Sequence, residues 1–309
     1  MTAVEKPDAN ESAESSAAPP RAAVYAVAAL AIFIGGSTPT ATKFAVLEID
    51  PVLVGVLRTA LGAVIALPMV LLLRIPPPRG RRRIGWLALS ASCGFILFPV
   101  IFGIGQSLTS TAHSALIFAV VPIFVGVFAS LLERRRLAFH WWVGGFVALI
   151  GECLLFAFRD GLDTDGATLA GDAIVLAAVI VLGSGFVAGA RLTQEGYGPW
   201  GTTFWGLVAG GIVIIPFVPL AAAGTGWQEA GAAAWGGLAY LVLMSAGLGY
   251  VCLYWAFGKG GIAKTGMLYF VAPLITLALA VVMLDETLTA PLLVAAGFIL
   301  GGVYISQRT

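Results

Sequence analysis

Ten long apolar runs fill this chain, and a soluble globule cannot cover that many. They span approximately residues 24–46, 52–73, 84–106, 111–132, 140–157, 169–190, 200–221, 235–257, 262–283 and 290–305. A bilayer core about 30 Å thick is crossed by about 20 apolar residues in a helix, the length of these runs. Only 11% of the residues are charged and 59% are hydrophobic, with a mean hydropathy of +0.97. A soluble domain carries about 25% charged residues and must cover itself with polar surface. A transmembrane barrel would show short alternating segments instead of continuous runs. The expected class is all-α integral membrane, with ten transmembrane helices in the lipid bilayer.

The connecting segments are short. Residues 1–23 form a polar, acidic tail with the composition of a disordered segment, and its start lacks the basic residues of a secretory signal. Residues 158–168 make an acidic loop that divides the chain nearly in half, and 306–309 are the C-terminal tail.

Charge placement orients the chain, because cytoplasmic loops hold the excess of Lys and Arg. Arg74, Arg79 and Arg81 to Arg83 follow span 2, Arg134 to Arg136 follow span 4, and Arg191 follows span 6. Lys259 and Lys264 flank the turn after span 8, and Arg308 follows span 10. Glu48, Asp50, Asp160, Asp163, Asp165, Glu229, Asp285 and Glu286 gather on the other side. Even-numbered spans are thus expected to end in the cytoplasm of a bacterial-type cell, in the inner membrane, with both termini cytoplasmic.

An internal repeat emerges when Pro122 is laid over Pro273. STAHSALIFAVVP (110–122) then falls on GIAKTGMLYFVAP (261–273), pairing His113 with Lys264, Ser114 with Thr265 and Phe118 with Tyr269. Each copy continues to an acidic turn, Glu133 or Asp285-Glu286, and a glycine-bearing span. The unit is five spans, 24–157 and 169–305. An odd number of spans places the copies upside down relative to each other, an arrangement that recurs in secondary transporters with the substrate near the midplane.

The chain resembles the ten-span EamA-type members of the drug/metabolite transporter superfamily. The resemblance is carried by Gly36-Ser37 through Lys43, Leu57-Arg58, the two proline segments, Gly171-Asp172 and the Asp285-Glu286-Thr287-Leu288 turn before Gly297. The first copy departs from the pattern, since Glu133 comes early and three arginines follow it. The resemblance implies a central cavity lined mainly by spans 1, 3, 4, 6, 8 and 9, and export of amino acids, metabolites or toxic compounds.

Ionisable groups inside spans are costly and are candidates for function. Arg58 lies about 9 Å and Glu152 about 8 Å below the outer boundary, with Lys43 and Asp172 about 5 Å deep. Pairing among the four, or snorkelling to the headgroups, is the structural alternative. Functionally, Glu152 is a candidate to take up a coupling proton.

Candidate cavity residues are Ser37, Thr38 and Thr40 in span 1, Gln106, His113, Ser114 and Phe118, Ser184 and Phe186 in span 6, and Tyr250, Tyr254, Trp255 and Tyr269. Lys264 and Thr265 join them at the start of span 9, where the helix dipole favours an anionic group. The hydroxyls also suit close helix packing, and the aromatics also suit interfacial anchoring. Pro39, Pro122 and Pro273 are hinge candidates, because proline interrupts the helical ladder.

Other chemistry is unsupported. A glycine-rich phosphate loop is missing, so no ATP-driven step is expected. Cys93, Cys153 and Cys252 are scattered in apolar runs and suit packing better than a disulfide or metal site, and no cofactor, metal or nucleic acid is expected. The expected function is secondary transport, with export of small amino acids or metabolites by alternating access and a small-molecule solute as partner. A multidrug exporter of cationic or aromatic compounds is the nearest alternative, weakened because span 1 holds no acid. A membrane enzyme acting on lipid is the alternative class, with Glu152 and Asp172 as its acids. A monomer is the simplest working unit, and the sequence leaves the oligomeric state open.

Overall fold

The computed structural model describes residues 21–133, 138–157, 168–260, 262, 269–284 and 290–306. The expected terminal tails, most of the acidic loop, and Lys264 and Thr265 lie outside these. So do the side chains of Glu152 and Pro273.

The helices of the described residues are numbered in chain order, with adjoining segments taken together. They are α1 (Arg21–Val46), α2 (Pro51–Leu72), α3 (Arg81–Ser107), α4 (Thr111–Leu132) and α5 (Phe139–Ala157), then α6 (Leu169–Tyr197), α7 (Pro199–Ala222), α8 (Ala232–Gly260), α9 (Ala272–Leu284) and α10 (Ala290–Ser306). Seven of them, α1 to α4 and α6 to α8, are long and apolar enough to cross a membrane. Leu71, Leu72, Phe146, Ile212 and Val282 stand exposed on helix faces. Such faces suit lipid, which is as apolar as they are.

Local chemistry sets the helix starts. Asp50 caps α2 by accepting from the amides of Val52 at 2.9 Å and Leu53 at 3.0 Å, and Pro51 occupies the first turn, where its missing N–H costs nothing. Ser110 caps α4 through the His113 amide, and Thr168 caps α6 through the Gly171 amide.

The prolines divide into two kinds. Pro39 sits inside a continuous α1. Pro122 marks a break: the helix stops at Phe118, turns through Ala119 and Val120, and restarts at Val121. The proline ring cannot follow the carbonyl four residues back, so the chain tightens into three-residue hydrogen bonds just before it. Pro273 stands in the same place, second in α9 after the 3-10 turn Tyr269–Val271.

Three helices also carry π-helical stretches, Ala91–Leu97 in α3, Thr193–Tyr197 at the end of α6 and Leu241–Gly249 in α8. The apolar runs give no hint of them, because hydropathy is blind to a one-residue change in hydrogen-bond register.

Packing is organised by helix partner. α1 lies against α8 and α9, while α6 lies against α3 and α4. α2 packs on α7, and α5 packs on α10. Adding five to each helix number maps these pairings onto themselves.

The loops sort to two ends. At one, Glu48 accepts the Gly231 amide at 2.6 Å, and the Thr168 hydroxyl donates to the Leu108 carbonyl at 2.7 Å. At the other, Arg82 pairs with Glu195 at 2.7 Å and Arg83 donates to the Glu195 carbonyl at 2.6 Å. Tyr197 donates there to the Pro76 carbonyl, and Trp205 to that of Ile75.

Candidate functional site

Two buried polar clusters occupy the interior, one central and one near the end that holds Glu48.

The central cluster surrounds a small cavity. It is lined from α1 by Gly35 and Thr38, from α2 by Arg58, from α3 by Phe98, from α4 by Phe118, from α6 by Phe186, from α8 by Ser245 and Tyr250, and from the turn before α9 by Tyr269. Five helices, α1, α3, α4, α6 and α8, thus meet here with the turn before α9, and α2 adds a charge. The free volume is about 20 Å³, enough for one water-sized group. The cavity is closed to anything larger in this conformation.

Its polar wall is a relay of donors. Arg58 Nη2 donates to Ser245 Oγ at 3.0 Å. The Thr38 and Ser245 hydroxyls are 2.9 Å apart, and Thr38 donates to the Ile34 carbonyl at 3.0 Å. Because Thr38 spends its hydrogen on Ile34, Ser245 must donate to Thr38, which leaves its lone pairs for Arg58. One turn away Ser37 meets the Tyr240 hydroxyl at 2.5 Å. Ser245 lies in the π-helical stretch of α8, and Tyr250 follows it and donates to the Gly94 carbonyl, within the α3 stretch, at 3.1 Å.

The aromatic wall is edge-to-face. Phe186 meets Tyr250, Phe257 and Tyr269 at centroid distances of 5.4, 6.5 and 6.0 Å. The Arg58 guanidinium lies 5.4 Å from the Phe98 ring centre, within cation–π range. The close approach of Tyr269 depends on Gly35, where an added Cβ would fall 2.2 Å from the tyrosine hydroxyl oxygen.

The second cluster joins α3, α4 and α6. Asp172, fully buried, lies 3.0 Å from Nδ1 of the equally hidden His113 and accepts from the Thr109 hydroxyl as well. Lys43 of α1 donates to the Thr109 carbonyl at 2.8 Å. Gln106 is buried beside Thr111.

The sequence candidates thus separate. Thr38, Phe118, Phe186, Tyr250 and Tyr269 line the cavity, and Ser37 lies behind its wall. Gln106 and His113 belong to the second cluster. Tyr254 is fully buried with its hydroxyl 3.2 Å from Ser90, Ser184 donates to the Val181 carbonyl, and Trp255 is packed on the core. Thr40 and Ser114 are buried with hydroxyl oxygens that have no described partner.

Of the intramembrane charges, Arg58 meets the Ser245 hydroxyl and the Phe98 ring, and Asp172 meets His113. Ser245, Phe98 and Gly35 were missed by the sequence reading. A serine in a leucine- and glycine-rich run looks like packing until the partner helix is known.

The family comparison decides the identity. The EamA-like transporter family model matches twice, over residues 22–157 and 169–307.

The chain belongs to the EamA-like transporter family.

A relative named "Uncharacterized transporter YdeK", from Bacillus subtilis (strain 168), is 30% identical over 259 residues, covering 82% of this chain and 86% of its own length. An uncharacterized transporter of Archaeoglobus fulgidus is 23% identical, covering 92% of this chain and 98% of its own. A protein of Streptantibioticus cattleyicolor named a probable terminal-alkyne amino-acid exporter is 25% identical over 75% of each chain. A solved crystal structure matches with a TM-score of 0.65 at 16% identity, covering 93% of this chain and 98% of that one, which establishes a shared fold.

Proposed function

We propose that this chain is a secondary transporter that exports a small amino acid or related metabolite, alternating access through the central cavity. The observation that carries the reading is the cavity itself: a small pocket walled mainly by apolar and aromatic side chains, with Arg58, Thr38 and Ser245 as its polar groups, where both halves of the chain meet. A midplane site between repeats is where such carriers bind solute.

Ten spans in two inverted repeats are part of the proposal. Supporting them are the two tandem matches of one family model, the helix pairings that survive a shift of five, and the breaks before Pro122 and Pro273. The same shift relates the loop contacts. Glu48 follows α1 and holds the α7–α8 loop, while Glu195 ends α6 and holds the start of α3. One contact of each kind at each end is what a rocking carrier needs to favour closure at either face.

Orientation rests on the arginines. Their excess supports a topology with the Glu195 end at the cytoplasmic face of the inner membrane and the Glu48 end outside. The amino-acid reading takes support from the named exporter among the relatives. A cationic drug fits the pocket less well, since the charge in its wall is Arg58.

The test is purified full chain in liposomes, assayed by counterflow of labelled neutral amino acids and small monocarboxylates. Accumulation above protein-free liposomes is expected for at least one. Failure of every solute to move would overturn the transport reading.

A further inference from the structure

We propose that Arg58 is the anchor for a carboxylate on the transported solute, so that the cavity selects small monocarboxylates and amino acids and rejects their amides. The inference deepens the transport reading and rests on it.

The first argument is charge balance. Arg58 is 3% exposed, in the apolar interior of a helix bundle. An isolated guanidinium there is expensive, and proteins ordinarily supply a carboxylate to offset it. Among the described residues none faces Arg58. Asp172 is engaged by His113 and Thr109. Around Arg58 stand the Ser245 hydroxyl, the face of Phe98 and, nearby, the neutral phenols of Tyr250 and Tyr269. These soften the cost without neutralising the charge.

The second argument is donor balance. A guanidinium has five N–H groups in a fixed planar fork. One nitrogen reaches Ser245, and the buried Nε has no partner. An unsatisfied donor on a buried cation is an arrangement that structures avoid unless something comes to fill it. A carboxylate fills it well, because its two oxygens match the fork.

The third argument is position. Arg58 is part of the cavity wall, which it shares with the Thr38 and Ser245 hydroxyls and with Phe186, Tyr250 and Tyr269. The space now present holds only a water-sized group. The rest of a solute enters when the aromatic wall parts at one end. The wall then packs against its side chain, and the acid end stays with Arg58. Preference for a carboxylate over an isosteric neutral amide follows from the buried cation, which would be left unpaired by the amide.

The experiment compares matched pairs on the purified full chain: phenylalanine against phenylalaninamide, leucine against leucinamide, and 3-phenylpropionate against 3-phenylpropionamide. Binding is read as ligand-induced rise in melting temperature in detergent, with counterflow in liposomes alongside. The expected wild-type result is binding of at least one acid, about 30-fold or more tighter than its amide. Arg58→Gln is expected to melt cooperatively and to lose the preference. Arg58→Lys, which keeps the charge and loses the fork, is expected to retain the preference with acid affinity lowered about tenfold. If Arg58→Gln does not fold, Arg58→Lys carries the comparison, and unaltered acid affinity in it overturns the proposal.

Amides that bind as well as acids, or a folded Arg58→Gln that still prefers the acid, overturn the role of Arg58 while leaving transport in place. If no acid binds or moves with the wild type, the transport reading and this inference fall together.

Discussion

His113 Nδ1 lies 3.0 Å from Asp172 Oδ2 where neither side chain reaches solvent, linking α4 to α6. The carboxylate fixes the imidazole proton on Nδ1. Lys43, from α1, reaches the Thr109 carbonyl beside the pair, and the Thr109 hydroxyl binds the same carboxylate. A break in this cluster would free three helices from one another near the end that holds Glu48.

Coupling between the two residues is therefore expected to be measurable. Asp172→Asn should destabilise the chain by about 3 kcal/mol, as loss of one partner leaves the other buried and unsatisfied. In a cycle with His113→Gln, the double variant should lose about 1–3 kcal/mol less than the sum of the singles. Thermal unfolding in detergent measures this, and strict additivity would show that the contact is incidental.

Opposite effects are expected from the two loop contacts. Glu195→Gln removes the pairing with the largely exposed Arg82, and Glu48→Gln weakens the bond to the Gly231 amide. Contacts at a surface are worth about 1 kcal/mol or less, so each change should shift the two-ended equilibrium about two- to fivefold. A cysteine placed at Thr38 in a cysteine-free chain, labelled by an impermeant maleimide in right-side-out vesicles, reports it. Labelling should slow in Glu195→Gln and quicken in Glu48→Gln. The same direction in both would refute the two-ended arrangement.

Glycine at 185 is expected to be intolerant. A Cβ there would fall 2.7 Å from the Gly94 amide nitrogen, backbone against backbone, where α6 crosses the π-helical stretch of α3. Gly185→Ala should cost about 1–3 kcal/mol. Gly236→Ala, where a Cβ meets nothing within 4 Å, should be neutral or stabilising by up to about 1 kcal/mol through helix propensity. Equal melting temperatures for the two variants would contradict the close crossing.

Glu152 is the sequence's candidate to take up a coupling proton, from its place within an apolar span. Glu152→Gln is expected to leave the fold intact and to remove the pH dependence of counterflow. A pH profile that does not change assigns the coupling elsewhere.

Much of the molecule was legible in one dimension. Run length identified the helices because lipid demands a hydrogen-bonded apolar segment of fixed span. Asp50, Ser110 and Thr168 cap helix starts through local contacts that the hydropathy runs did not show. Pro122 predicted a break because a proline ring acts locally on the helical ladder, while Pro39 is contained within an unbroken α1. The π-helical stretches were not legible, since apolar composition is the same in either register.

The candidate site was legible only in part. Thr38, Phe186, Tyr250 and Tyr269 stood out as polar or aromatic within apolar spans, and they do converge. Ser245 did not stand out, and Tyr254 stood out but is packed away from the cavity against Gly189.

Arg58 shows where the division falls. Its presence in a membrane span, and the cost of that, are properties of the sequence alone, because desolvation follows from depth. The membrane class and the repeat of two proline segments follow in the same way from local or periodic patterns. Which group would face Arg58 was decided only by the tertiary structure. Carboxylates at 152 and 172 were equally available on paper, and packing of α4 on α6 committed Asp172 to His113. Packing of α1 and α8 brought Thr38 and Ser245 to the guanidinium instead. Partner choice depends on distances between helices far apart in the chain, and those distances are set by packing and not by order along it.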